Sequence, residues 1–84
     1  MDRTNDQLLT AFAEVLRESR QTAGLSQEDL AERSDLSTRF VSFLENRHRQ
    51  PTLTVVMARS EGLGLTLQDF AGRVEARYRD DAQR

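Results

Sequence analysis

The sequence contains no cysteine and a single histidine, His48. Without thiols the chain can form neither a disulfide framework nor a thiolate metal site, and His48 has no second imidazole to share a metal ion. Nor is there a cluster of carboxylates beside a nucleophile, so no nucleophile–base arrangement is available. We therefore expect no enzymatic activity, no catalytic residue, no metal site and no cofactor.

Long apolar runs are also absent. No stretch approaches the roughly 18–20 residues that span a bilayer, and the N-terminus lacks the basic and apolar regions of a signal peptide. We expect a cytoplasmic protein with no membrane partner, and no small-molecule ligand is evident. With 84 residues, the chain has room for one domain, 1–84, but little for a second domain or an enclosed active site.

The most informative stretch is residues 26–46, which has the pattern of two short helices joined by a tight turn. Ser26 and Asp29 approximate a capping box, and Ser37 repeats the cap for a second helix from Thr38 to about Glu45. Four apolar residues at helical spacing are expected to face inward: Leu30, Ala31, Val41 and Leu44. This pattern is a helix-turn-helix, whose second helix usually enters the major groove of DNA.

Several separated motifs resemble the phage repressor and Cro family, also called the xenobiotic-response-element (XRE) type. They lie at residues 24–33, 41–46, 51–53 and 63–67. The match extends over about residues 8–70, with its order and spacing intact. The resemblance implies an all-α, five-helix, lambda-repressor-like DNA-binding domain.

The first helix is expected to follow a frayed start at residues 2–6, continue to about Thr22 and end at a left-handed Gly24. Its apolar residues recur at helical spacing: Leu8, Leu9, Phe12, Val15 and Leu16. The resemblance pairs Arg20, near its end, with Glu45, at the end of the second helix of the motif. The turn departs from the family pattern, because Asp35 stands where glycine is usual and Ser34 where an apolar residue is usual.

The fourth helix should begin at the cap Thr52 and end at Gly64, with one polar wall because Arg59 replaces a usual aliphatic residue. Its inward residues are expected to be Leu53, Val56, Met57 and Ser60. The fifth helix should begin at the cap Thr66, and Asp69 should form a second capping box with it. We expect its first turn to close the core, its later residues to project past it, and residues 80–84 to be disordered.

On a helical wheel, successive residues of the second helix of the motif lie about 100° apart, which gives the direction of each side chain. Val41 and Leu44 define its buried side, and Arg39 and Phe43 then point almost opposite, whereas Phe40 lies at the rim as half-buried packing. The candidate base-reading residues are Thr38, Arg39, Ser42 and Phe43. Arg39 is the strongest, because its fork can bond a guanine edge in two places. Phe43 either covers a thymine methyl group or contacts another protein.

Phosphate contacts are expected from helix starts and from the loop after the motif, where Asn46 should adopt a left-handed cap. The candidates are Ser26, Gln27, Ser37, Asn46, Arg47 and Arg49. The net charge of −2 and pI of about 5.3 are unusual for a DNA-binding domain. All twelve cationic residues are arginine, however, and residues 33–50 carry four of them against two acidic residues. This local excess is compatible with weak non-specific affinity for DNA.

Two interpretations remain. The favoured one is a sequence-specific regulator that binds double-stranded DNA as a homodimer on a pseudo-palindromic operator. The alternative is an antitoxin-like or other protein-interaction module, with a toxin or another protein as its partner and weak or no DNA binding. The expected dimer interface is an apolar stripe that a short chain cannot wholly bury: Leu67, Phe70 and Val74. The stripe would otherwise seal the monomer's own core.

Overall fold

In the computed structural model, which describes residues 3–46 and 50–83, the chain forms five α-helices. They are α1 (Arg3–Thr22), α2 (Gln27–Ser34), α3 (Thr38–Glu45), α4 (Leu53–Gly62) and α5 (Leu67–Ala82). The predicted all-α fold is confirmed. Over the same ranges, no helix is both long and apolar enough to cross a membrane.

The helix starts follow the predicted capping chemistry. Ser26 Oγ accepts a hydrogen bond from the Asp29 N–H at 3.0 Å, and the Asp29 carboxylate accepts one from the Ser26 N–H at 2.9 Å. Ser37 and Thr52 cap α3 and α4 with their hydroxyl groups. Thr66 accepts from the Asp69 N–H at 3.0 Å, but the return bond of the predicted box does not occur in the described part of α5.

The long helix α1 provides one wall of the core. Phe12, Val15 and Leu16 are buried, and the Phe12 ring meets the Phe70 ring edge-on at 5.7 Å between centroids. The expectation of a frayed start at residues 2–6 was wrong for residues 3–6, which are helical. Asp6 in the first turn favours that extension, because a carboxylate there complements the helix dipole.

The predicted inward face of α4 was right for Val56 and Ser60 and wrong for Leu53 and Met57. Leu53 is 73% exposed and Met57 42% exposed, whereas Arg59 and Ser60 are fully buried. The residues of α4 that turn inward are Val55, Val56, Arg59, Ser60 and Gly62. These positions have helical spacing. A hydrophobicity pattern does not reveal this inward face, because it includes the charged Arg59 and the polar Ser60.

Close packing between α2 and α4 explains the glycine at position 62 of α4. A Cβ at Gly62 would overlap Ser34 Oγ and come within 3.0 Å of Leu30 Cδ1. Ser34 is itself buried, and its hydroxyl has no hydrogen-bond partner among the described residues. The hydroxyl that replaces the family's apolar residue therefore fits only because α4 lacks a side chain opposite it.

The fifth helix packs along α1 instead of projecting past the core. Arg77 donates hydrogen bonds to Glu14 at 3.1 Å and Glu18 at 2.6 Å, both on α1, and Tyr78 packs against the core. The helix continues to Ala82, so the expectation of disorder was wrong for residues 80–82. Arg84 lies outside the described residues.

Most of the apolar stripe that was expected to form the dimer interface is buried within the monomer by this packing. Phe70 is 0% exposed and Val74 is 9% exposed, because both face α1, and only Leu67 stays half-buried. The premise that the monomer could not bury the stripe was wrong for Phe70 and Val74.

Candidate nucleic-acid interface

The helix α3 separates a buried side from an accessible side. Val41 and Leu44 are fully buried, and Phe40 is half-buried against the core as predicted. The base-reading candidates lie on the other side: Thr38 and Arg39 are exposed, and Ser42 and Phe43 are half-buried. The four candidates therefore occupy one accessible surface of the helix.

Two of these candidates are in contact with each other. The Arg39 guanidinium carbon lies 5.5 Å from the centroid of the Phe43 ring, within the range of a cation–π interaction. Sequence analysis placed both residues on one face but did not predict the pairing, although a separation of four residues on a helix was a usable signal.

The end of α3 is fixed by the predicted pair of Arg20 and Glu45. Arg20 Nε donates to Glu45 Oε2 at 2.7 Å and Arg20 Nη2 to Glu45 Oε1 at 3.0 Å, with the two side chains only 12% and 3% exposed. Arg20 Nη1 also donates to the Leu25 carbonyl at 2.8 Å. The hydrogen bonds to Glu45 raise the pKa of Arg20 above its ordinary value.

A third helix joins this pair. Gln27 Nε2 donates to Glu45 Oε1 at 3.2 Å, a contact that sequence analysis missed. The Glu45 carboxylate thus connects α1, α2 and α3, and it holds the helix-turn-helix in one geometry. The side-chain amide of Gln27, proposed as a phosphate donor, is engaged inside the protein.

The turn between α2 and α3 keeps its form despite Asp35. This residue adopts φ 56° and ψ 42°, the left-handed conformation that asparagine and aspartate tolerate best after glycine. The Leu36 N–H then donates to the Ala31 carbonyl at 3.0 Å, which closes the end of α2.

The loop after α3 begins differently from the prediction. Asn46 has φ −104° and ψ 11°, so the expected left-handed cap was wrong. Its side-chain amide donates to the Ser42 carbonyl at 2.8 Å, and its backbone N–H donates to the same carbonyl at 3.0 Å, so Asn46 closes the helix without a left-handed conformation. Arg47, His48 and Arg49 lie outside the described residues. Ser26 and Ser37, the two helix caps, are exposed.

Beneath α3 lies a buried cation that no spacing argument predicted. Arg59 is 0% exposed, and its guanidinium lies 5.8 Å from the Phe40 ring centroid. None of its three side-chain nitrogens has a hydrogen-bond acceptor in the described part of the chain. Burial lowers the pKa of Arg59 to about 10, and the charge of Glu45 opposes that effect.

Comparison with known proteins places this geometry in a family. A family model described as helix-turn-helix matches residues 16–70. The HTH-type transcriptional regulator PrpR of Mycobacterium tuberculosis is 42% identical over 62 residues, which are 74% of this chain and 13% of that protein. The chain therefore spans only a small part of the length of this curated relative.

Solved structures share the fold. The restriction–modification controller protein C.Esp1396I, a tetramer solved with its natural 35-base-pair operator, has a TM-score of 0.80 at 27% identity, covering 84% of this chain and 93% of that one. The clp gene regulator ClgR of Corynebacterium glutamicum has a TM-score of 0.82 at 24% identity, covering 90% and 81%, a likeness of fold alone. With its family model matched over more than half of its length, the chain belongs to the Cro/CI-like, XRE-type helix-turn-helix family.

Proposed function

We propose that this chain is a sequence-specific regulator of transcription that binds double-stranded DNA, with α3 in the major groove. The observation that carries the proposal is the construction of α3. One side is buried in the core, its end is fixed to α1 and α2 through Glu45, and the opposite side presents Thr38 and Arg39 to solvent. A rigid helix with an accessible polar side is what reading of base edges requires.

The expected contacts divide into reading and positioning. Arg39 reads a guanine edge through its two-pronged fork, and Thr38 and Ser42 contact neighbouring bases. The helix caps Ser26 and Ser37 lie where free N–H groups receive phosphate oxygens. Gln27 lies at the start of α2, where its backbone N–H is a further candidate because its side-chain amide is bonded to Glu45. Asn46, at the other end of α3, and Arg47 and Arg49 remain sequence-based phosphate candidates.

The functional form proposed is a homodimer on a pseudo-palindromic site. One short helix covers only a few base pairs, whereas two copies related by a two-fold axis enter major grooves about 34 Å apart. The relative C.Esp1396I binds its operator as a tetramer, so assembly on DNA has a precedent in this fold. Because the chromosome is the target, we place the protein in the cytoplasm, associated with the nucleoid when bound.

Because most of the predicted stripe is buried, we propose that the dimer interface lies on α4 instead. The exposed side chains of Leu53 and Met57 lie beside Leu67, the one member of the predicted stripe that keeps accessible surface. Large exposed aliphatic side chains in one patch are typical of a contact surface. The second copy is the occupant that we propose for this patch, hereafter the α4 patch (Leu53, Met57 and Leu67).

Selection from a random library of double-stranded DNA tests the proposal. We expect enrichment of an inverted repeat whose half-sites are about 10 base pairs apart from centre to centre. A variant with Arg39→Ala should enrich a more degenerate repeat with the same spacing. Recovery of no common sequence by the folded wild-type protein would overturn the proposed function.

A further inference from the structure

The accessible side of α3 carries an aromatic residue that the core does not require. Phe40 packs against the hydrophobic core from the rim of α3, and Val41 and Leu44 fill the buried side. Phe43 lies on the other side of the helix, where the Arg39 guanidinium rests over its ring at 5.5 Å from the centroid. The two side chains are therefore in contact on the side of α3 that is proposed to face DNA.

The contact with Phe43 restrains the Arg39 side chain, on which the proposed base reading depends. Arg39 is exposed and has a long side chain, which in isolation samples many rotamers. Its contact with Phe43 selects those rotamers in which the guanidinium lies over the ring. A cation–π contact needs no hydrogen bond from the guanidinium, so its N–H donors can still bind a hydrogen-bonded partner.

We propose that Phe43 is a positioning residue, which holds Arg39 in the orientation that reads a guanine edge. The inference rests on the proposed DNA-binding function and deepens it, because it assigns Phe43 to the same base pair as Arg39 and gives it no base of its own. Ordering the arginine before binding removes part of the entropy loss that binding would otherwise incur. Phe43 therefore strengthens recognition without touching a base.

The first test compares four variants with the wild type by fluorescence anisotropy on the selected site and on all its single-base-pair variants. They are Arg39→Ala, Phe43→Leu, Phe43→Tyr and the double variant Arg39→Ala/Phe43→Leu. Leucine keeps apolar volume but lacks the ring face, whereas tyrosine keeps the ring. Thermal melts verify that each variant is folded.

We expect Phe43→Leu to weaken binding to the best site about two- to fivefold, the range of an exposed cation–π contact. Preference should relax at the base pair that Arg39→Ala also relaxes, and the salt dependence should stay unchanged because no charge is removed. Phe43→Tyr should behave as the wild type. In the Arg39→Ala background, Phe43→Leu should have no further effect.

Three results would overturn the inference, and each shows whether the role of Phe43 or that of Arg39 is wrong. If Phe43→Leu and Phe43→Tyr alter preference at another base pair, Phe43 reads DNA directly. If Arg39→Ala relaxes preference but Phe43→Leu does not, positioning by Phe43 fails while the proposed function stands. If Arg39→Ala changes no preference, the reading role of Arg39 fails as well.

A measurement without DNA tests the stack itself. In NMR spectra of the free protein, the side-chain protons of Arg39 should show an upfield ring-current shift that disappears in Phe43→Leu and persists in Phe43→Tyr. Equal shifts in the wild type and Phe43→Leu would overturn the inference even if the protein bound no DNA.

Discussion

Single side chains determine how α3 is held. The Glu45 carboxylate receives hydrogen bonds from Arg20 and Gln27, so three helices meet at one buried group. Such a group costs desolvation free energy, and its pairing offsets that cost only when both partners are present. The pair therefore fixes geometry more than it adds net stability.

Removing one partner should be much worse than removing both. Arg20→Met leaves Glu45 buried with Gln27 as its remaining side-chain donor among the described residues, and we expect a loss of about 3 kcal/mol in the free energy of unfolding. Glu45→Met should cost a similar amount, and the double variant should recover part of the loss. Denaturant unfolding of all three variants measures the coupling, and simple additivity would show that the two residues do not interact.

We expect the buried Arg59 side chain to destabilise the folded protein. Its guanidinium is fully buried and has no acceptor among the described residues, and we expect the Phe40 ring and the charge of Glu45 to offset only part of its desolvation cost. We expect Arg59→Leu to raise the free energy of unfolding by about 1–4 kcal/mol. Arg73→Leu is the matched control, because it removes one positive charge from an exposed position on α5. A melting temperature that falls more in Arg59→Leu than in the control would contradict this account.

At the scale of elements, the contact between α2 and α4 depends on a missing side chain. Gly62→Ala would favour the helix by up to about 1 kcal/mol through propensity. Its Cβ would overlap Ser34 Oγ and press on Leu30, however, so we expect a net loss of about 1–2 kcal/mol. Ser34→Ala removes the obstructing hydroxyl and should restore part of the stability to the double variant. Thermal melts of the two single variants and the double decide it, and a Gly62→Ala variant as stable as the wild type would contradict the tight contact.

The sequence predicts those elements whose signals are local. The capping box of Ser26 and Asp29 and the cap Ser37 depend on neighbours within a few residues, and both predictions are confirmed. The pair of Arg20 and Glu45 is distant in sequence, and only the family resemblance supplied it.

Predictions that depended on the phase of a helix or on long-range packing were less successful. The inward face of α4 contains the charged Arg59 beside Val56 and Ser60, and the prediction placed Leu53 and Met57 there instead of Arg59. The path of α5 is stabilised by ion pairs between Arg77 and α1, and such cross-helix contacts leave no periodic signal. For the same reason, the burial of Val74, which lies beyond the first turn of α5, could not be assigned to the monomer in advance.

At the scale of the whole molecule, the dimer interface has to be reassigned. Val74 is buried in the monomer, so a charge placed there would disrupt the fold and would not report on assembly. Leu53 is the most exposed large apolar residue of the α4 patch. It is therefore the position where a charge can interfere with association while the core stays intact.

We expect Leu53→Arg to dissociate the dimer. Sedimentation of the wild type at micromolar concentration should give a species near twice the chain mass of 9.6 kDa, and the variant should give one near 9.6 kDa. Leu8→Arg is the control, because Leu8 is also exposed but lies on α1, and it should remain dimeric. A monomeric wild type would rule out the dimer, and a dimeric Leu53→Arg would rule out this interface.

The central claim is that the accessible side of α3 reads DNA, and equilibrium binding as a function of salt tests it most directly. Wild-type protein, Arg39→Ala and the exposed-arginine control Arg73→Ala are titrated with the selected site and with a scrambled duplex. Wild-type affinity should fall steeply with salt on both duplexes, and Arg39→Ala should lose about 1–3 kcal/mol of binding free energy on the selected site. That variant should lose far less on the scrambled duplex, and Arg73→Ala should match the wild type on both. Equal losses of Arg39→Ala on the two duplexes, or no salt-dependent binding by the wild type, would contradict the claim.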